Sequence, residues 1–100
     1  MSVLRNKDTF QVLTTWAIEK TLLGNGKQTY DRVVVLLKDE YRCTLADCYE
    51  HPEYLKAVLG RVADYDRLAI VVSITNELKE FLYKEPIRKF VEGIIPSSDG

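Results

Sequence analysis

A chain of 100 residues with 46% apolar and 29% charged side chains is long enough to fold as one soluble domain and too apolar to be disordered. Its 14 basic residues are offset by 15 acidic ones, so it lacks the basic excess that usually drives nucleic-acid binding, and nucleic acid is disfavoured as a partner. It has neither an apolar run of the roughly 20 residues that a membrane helix needs nor a signal peptide, which predicts a cytoplasmic protein without membrane contact.

The first predicted helix covers residues 8–23. Its N-cap would be Asp8 or Asn6, whose side chains accept hydrogen bonds from the first unpaired N–H groups of a helix. Gly24 would follow as the C′ residue, because glycine adopts a positive φ angle without steric cost. The helical spacing places five apolar residues near one buried face: Phe10, Leu13, Trp16, Ala17 and Leu23.

The second predicted helix covers residues 27–41 and has an apolar centre. The triplet Val33-Val34-Val35 is also compatible with a β-strand. A helix is favoured because the segment is long for a strand and contains no helix-breaking residue. Since its centre is apolar on all sides, we predict that this second helix is central and that the other helices enclose it.

Both cysteines and the single histidine fall between residues 43 and 51, where two interpretations compete. As a folding signal, Thr44 is the N-cap of a short third helix over residues 45–50, and Asp47 lies at N3, where the two residues form a capping box. Cys43 and Cys48 then hold the N′ and N4 positions, whose side chains pack together in a hydrophobic staple. Local structure alone therefore explains these residues.

As chemistry, Cys43, Cys48 and His51 are three candidate ligands for a soft metal. Structural zinc sites favour two closely spaced ligand pairs, and the chain contains no second pair. A disulfide between the cysteines is uncommon in the cytoplasm, and a Cys48 thiolate assisted by His51 would lie beyond the strongest part of the helix dipole field. We therefore favour the structural interpretation and assign no catalytic, cofactor-binding or metal-binding residue.

Three further helices complete the predicted fold, over residues 52–62, 65–84 and 87–92. Pro52 suits the first turn of its helix, where a missing N–H costs nothing, and Pro86 ends the helix before it. The sequence thus predicts an all-α fold, a compact single domain of five or six helices over residues 1–95. Residues 96–100 would form a flexible tail.

Tyrosines are frequent for this length, with six in the chain. Tyr41, Tyr49 and Tyr54 flank the cysteine segment. Tyrosine is enriched in interfaces, so these rings could form a surface for a partner. They could equally line the edge of the core with their hydroxyls in water, and both interpretations stay open.

The order of these signals carries a family resemblance that covers about residues 9–83. Its marks are Leu22-Leu23-Gly24-x-Gly26, Tyr30 with Val33, Val34 and Leu37, Tyr41-x-Cys43-Thr44-Leu45-x-Asp47, and Pro52-x-x-Leu55 with Leu59. The series resembles the Nitrosopumilus output domain, a small archaeal family found alone or joined to signal-transduction modules, although Val62-Ala63 stands where a Phe-Gly pair is expected. The resemblance implies an all-helical regulatory domain of unknown biochemical activity and supplies no catalytic residue.

We therefore predict a non-enzymatic signal-transduction output or protein-interaction domain without a cofactor. It would bind a protein partner or self-associate, for example as a homodimer. The alternative is a helix-turn-helix type DNA-binding transcriptional regulator, which short helices joined by tight turns permit, although no helix has the clustered Arg, Lys, Asn or Gln of a recognition helix. A third hypothesis is a small metal-binding or redox protein built on Cys43, Cys48 and His51.

Overall fold

The computed structural model describes residues 6–62 and 67–95. Within these ranges the chain forms α-helices and two short 3-10 helices, and no strand. The α-helices are α1 (Asn6–Gly24), α2 (Lys27–Tyr41), α3 (Pro52–Val62), α4 (Arg67–Leu78) and α5 (Glu85–Ile94), and the 3-10 helices are Leu45–Tyr49 and Lys79–Phe81. The prediction of an all-α domain with about five helices is confirmed. Residues 96–100 lie outside the described residues, so the flexible tail and the domain bounds stay predictions.

Helix α1 lies at the centre of the packing. It contacts α2, α4, α5 and the first 3-10 helix. Its buried residues follow one face at helical spacing: Thr14, Ala17, Ile18, Thr21 and Leu22. The predicted buried face was wrong for Trp16 and Leu23, each of which is 47% exposed. Two threonines occupy core positions, so the apolar residues alone did not mark the buried face of this helix. The predicted N-caps Asn6 and Asp8 have side chains outside the described part of the structure.

Helix α2 is amphipathic and is not enclosed by the other helices. It buries Val33 and Leu37, whereas Val35 is 52% exposed. The reason is that α2 packs mainly against α1 and α3, which cover one side of it. The apolar residues at its centre therefore divide between the core and the surface, and the central position belongs to α1.

The turn between α1 and α2 requires glycine at position 26. Gly26 has a φ angle of 117°, whereas Gly24 is the last residue of α1. The helix end is closed by backbone bonds from Asn25 N–H to the Leu22 carbonyl at 3.0 Å and from Gly26 N–H to the Leu23 carbonyl at 3.0 Å. The residue with positive φ is thus Gly26, two positions after the predicted one, because α1 continues through Gly24.

Helices α3 and α5 close the other side of the core. Their contact is tight where Gly93 faces Pro52: a Cβ atom built on Gly93 would lie 2.5 Å from Pro52 Cγ. The predicted helix over 65–84 is shorter in the structure, since α4 ends at Leu78 and continues as a 3-10 turn. Pro86 lies in the first turn of α5, where proline is tolerated. Among the described residues, no helix combines the length and the apolar character needed to cross a membrane.

Candidate functional site

The cysteine segment folds as a helix start. Thr44 is extended, with φ −113° and ψ 177°, and forms a capping box with Asp47 at the first 3-10 helix. The Thr44 N–H donates to Asp47 Oδ2 at 2.9 Å, and the Thr44 hydroxyl donates to the same oxygen at 3.3 Å. The predicted cap is confirmed, although the helix that it begins is of the 3-10 type and ends at Tyr49.

Cys43 and Cys48 are free, buried thiols that belong to the same hydrophobic core cluster, which agrees with the predicted staple. The Cys48 thiol lies 3.8 Å from the Thr44 carbonyl, to which it donates. Burial, followed by the Asp47 carboxylate, raises the pKa of Cys43. Burial, followed by Cys43 and Asp47, raises the pKa of Cys48 to about 12. Both sulfurs are therefore held as neutral thiols near pH 7, whereas a nucleophile or a metal ligand must be a thiolate.

His51 interacts with a tyrosine stack on the surface. Its ring stacks on Tyr54 at a centroid distance of 4.7 Å, and Tyr54 stacks on Tyr41 at 4.3 Å. His51 Nδ1 lies 3.4 Å from Glu53 Oε2. No three His, Cys, Asp or Glu side chains of the described residues converge as metal ligands. Tyr49, by contrast, is buried, so the three tyrosines near the cysteines have different roles.

A concave surface lies between α1 and α2. We call it the α1–α2 groove. It has a volume of about 690 Å³, within the range of about 300–1,000 Å³ that is usual for small-molecule sites. Its lining residues are Thr15 and Glu19 of α1, Tyr30, Val34 and Lys38 of α2, and the segment Arg42, Cys43, Thr44, Leu45 and Ala46.

The wall contributed by α2 has a regular spacing. Tyr30, Val34 and Lys38 follow one another at intervals of four residues, which aligns them along one side of the helix. Arg42 continues this interval just after the helix ends. This spacing is the signal in the sequence that could have identified the groove. A second wall is formed by Leu45 and Ala46. It is held against α1 by a hydrogen bond from Gln11 Nε2 to the Ala46 carbonyl at 2.9 Å.

The two ends of the groove differ in charge. At one end the Tyr30 hydroxyl donates to Glu19 Oε2 at 3.4 Å, and partial burial together with Glu19 raises the pKa of Tyr30. At the other end are Lys38 and Arg42, both exposed. Neither cation has a carboxylate partner within the described part of the chain. The groove thus has an acidic end and a basic end.

The backbone brings Arg42 to the rim of the groove. Arg42 ends α2 in the left-handed conformation, with φ 56° and ψ 40°, which is uncommon for a residue other than glycine. Its N–H donates to the Lys38 carbonyl at 3.0 Å, and the Cys43 N–H donates to the Leu37 carbonyl at 3.2 Å. These bonds satisfy the last carbonyls of the helix, and both cations also complement its negative C-terminal end.

A second surface lies on the solvent side of α1. We call it the α1 ridge and define it by Val12, Trp16 and Leu23, which are 67%, 47% and 47% exposed. Their spacing places them along one line on the helix. Lys20, on the same side of the helix, has its Nζ 4.7 Å from the centre of the Trp16 ring and 3.3 Å from Glu77 Oε1 of α4. The ridge was missed from the sequence because two of its residues had been assigned to the core.

Comparison with known proteins found no family model, curated protein or solved structure that matches the chain. The resemblance to the archaeal output domain therefore stays a prediction. Any function has to be argued from the groove, the ridge and the buried thiols.

Proposed function

We propose that the chain is a non-enzymatic protein-interaction domain of the cytoplasm, of the kind that acts as an output module in signal transduction, and that the α1 ridge is its contact surface. The observation that supports this most directly is the row formed by Val12, Trp16 and Leu23 on one exposed line. Tryptophan is enriched among the residues that dominate interface energies. Such an apolar row beside charged residues is typical of a recognition surface.

The size of the ridge favours a transient contact. Complete burial of a large apolar side chain is worth about 1.5–3 kcal/mol, and about half of that remains available at each ridge residue because each is already partly covered. The ridge thus supplies on the order of 3 kcal/mol. Association itself costs an estimated 4 kcal/mol or more. A partner, or a second copy of the chain, must therefore add contacts around the ridge, and the complex that we expect is reversible.

Trp16 is the single tryptophan of the chain, so its fluorescence reports directly on the ridge. We expect its emission to shift to shorter wavelength when a second copy covers it, as the concentration rises and light scattering detects association. A Leu23→Lys variant keeps the reporter and should abolish both changes. Val35→Lys is the matched control, since Val35 is similarly exposed but lies on α2.

A partner other than a second copy is tested by a pull-down from native extract. Proteins retained by the wild type and by Val35→Lys, but lost with Leu23→Lys, would be ridge-dependent partners. The proposal fails if no association depends on Leu23 in either experiment. Unchanged circular dichroism of both variants establishes that the loss is not one of folding.

A further inference from the structure

We propose that the α1–α2 groove binds an amphipathic organic anion, a molecule with a hydrocarbon body and one carboxylate at its end. This site shares no residue with the α1 ridge, so the proposal is independent of the protein-interaction function. It is based on three properties of the groove: its size, its apolar middle, and the two cations at one end, which have no carboxylate partner among the described residues.

The middle of the groove suits a hydrocarbon body. Val34, Leu45 and Ala46 line it, together with the ring of Tyr30. Small-molecule sites usually combine such apolar walls with a few polar groups that fix the orientation of the ligand. Leu45 is nearly buried, and Ala46 is held by the hydrogen bond from Gln11, so this wall exists before a ligand arrives and little ordering is needed on binding.

The charges select an anion and orient it. Lys38 is in the last turn of α2, Arg42 is the residue that follows this helix, and both line the groove. Both would donate to one carboxylate at this end. Glu19 at the opposite end would repel an anion there. Tyr30 and Arg42 are separated by twelve positions in the chain, which is about 18 Å along a helix. A carboxylate at the basic end thus leaves room for a hydrocarbon chain of moderate length over Val34.

The nearby thiols and carboxylates do not oppose this assignment. Asp47 is engaged by the N–H and the hydroxyl of Thr44. Cys43 lines the groove as a neutral thiol, because burial and Asp47 raise its pKa. The charged groups near the basic end are therefore two cations and the Asp47 carboxylate, which is held by Thr44. The cations outnumber the carboxylate, which favours a negatively charged ligand.

Titration calorimetry with sodium decanoate, below its micelle concentration, tests the proposal. We expect binding of one decanoate per chain, and at least tenfold weaker binding of decyltrimethylammonium, which has the same chain length and the opposite charge. In the double variant Lys38→Gln/Arg42→Asn the affinity for decanoate should fall at least tenfold, equivalent to about 1.4 kcal/mol. Asparagine is chosen because it tolerates the left-handed conformation of position 42.

The matched control is Lys79→Gln/Arg88→Gln, which removes the same charge at exposed positions outside the groove. It should bind decanoate as the wild type does. Decanoate should also shift the methyl NMR signals of Val34 and Leu45. The proposal is overturned if decanoate does not bind, if the ammonium compound binds equally well, or if the two double variants have the same affinity. Circular dichroism checks that both variants remain folded.

Discussion

Cys48 is the residue whose chemistry differs most from that of the unfolded chain. It is fully buried, and burial together with Cys43 and Asp47 raises the pKa of its thiol from 9.0 to about 12. Between these two values the unfolded chain loses the proton while the folded chain keeps it. Deprotonation therefore favours the unfolded state as the pH rises. Cys48 contributes its full stabilisation below the ordinary thiol pKa and loses it as the pH rises to the pKa of the folded state.

We therefore predict that the free energy of unfolding falls between about pH 9 and pH 12, and that Cys48→Ala reduces this fall. The difference in slope attributable to Cys48 is at most about 1.4 kcal/mol per pH unit. Urea unfolding at stepped pH measures it. All other ionisable groups are present in both proteins, so the difference between the two curves reports on Cys48 and on its interaction with Cys43. Parallel curves would contradict a buried, protonated Cys48.

Gly26 offers a second test at a single position. Its φ angle of 117° with ψ 142° lies in a region that only glycine occupies readily, where other residues are strained by about 1–3 kcal/mol. Gly26→Ala should lower the free energy of unfolding by that amount, although no atom lies within 4 Å of the added Cβ. Gly24→Ala is the control, because its site is equally open and its φ is not positive. It should change stability by less than about 0.5 kcal/mol. Equal effects would show that Gly26 is not specially required.

At the scale of elements, features that depend on neighbours in the chain were predicted correctly, whereas the buried faces of the helices were not. The capping box of Thr44 and Asp47 and the cysteine staple depend on neighbours in the chain, and sequence spacing was sufficient to find them. The buried face of α1 was misassigned because Thr14 and Thr21, which are polar, occupy buried positions on it. Trp16 is on the surface beside Lys20, and this cation–π contact depends on the three-dimensional position of the helix.

The groove was missed for a related reason. It requires α2 to lie beside α1 and the segment after Arg42 to fold back against α1. The sequence placed α2 in the centre of the fold, where Val34 and Lys38 could not face a solvent-filled groove together. Which side of α2 is covered is decided by the packing of α1 and α3, and the apolar run in α2 gave no indication of that side.

The packing of α3 on α5 gives a prediction at this scale. In Gly93→Ala the new methyl would lie 2.5 Å from Pro52 Cγ and 2.8 Å from Pro52 Cβ, and the rigid proline ring cannot turn away. We expect the free energy of unfolding to fall by about 1–3 kcal/mol, as for other overpacked cores.

The control is Gly60→Ala. Its new methyl meets only the flexible end of Arg67, at 2.7 Å from Nη1. That variant should be neutral or more stable by up to about 1 kcal/mol through its helix propensity. Thermal unfolding compares the two, and an equally stable Gly93→Ala would mean that α3 and α5 pack less tightly.

At the scale of the whole molecule, α1 joins the two proposed sites. One side of it is in the core, its Thr15 and Glu19 line the groove, and its solvent side forms the ridge. Helix α1 packs against α4, and the exposed salt bridge between Lys20 and Glu77 joins the two helices. Glu19 is three residues from Trp16 and four from Leu23, so the acidic end of the groove borders the ridge. The basic end belongs to Lys38 and Arg42 instead, and we predict that Lys38→Gln/Arg42→Asn leaves binding at the ridge unchanged.

The charge of the whole molecule weighs against the helix-turn-helix alternative, which stays a prediction without a supporting observation. The net charge is −1, and the exposed side of α5 has mixed signs, with Lys89 Nζ 3.6 Å from Glu85 Oε2. Because phosphate neutralisation supplies most non-specific affinity, we expect no retardation of duplex DNA in a gel-shift assay at low salt. A shift that weakens as salt is added would contradict this expectation. The variant Lys84→Glu/Arg88→Glu would then locate the contact with DNA. Both residues lie near the start of α5, and the double change reverses the basic charge there, so the gel shift should be lost.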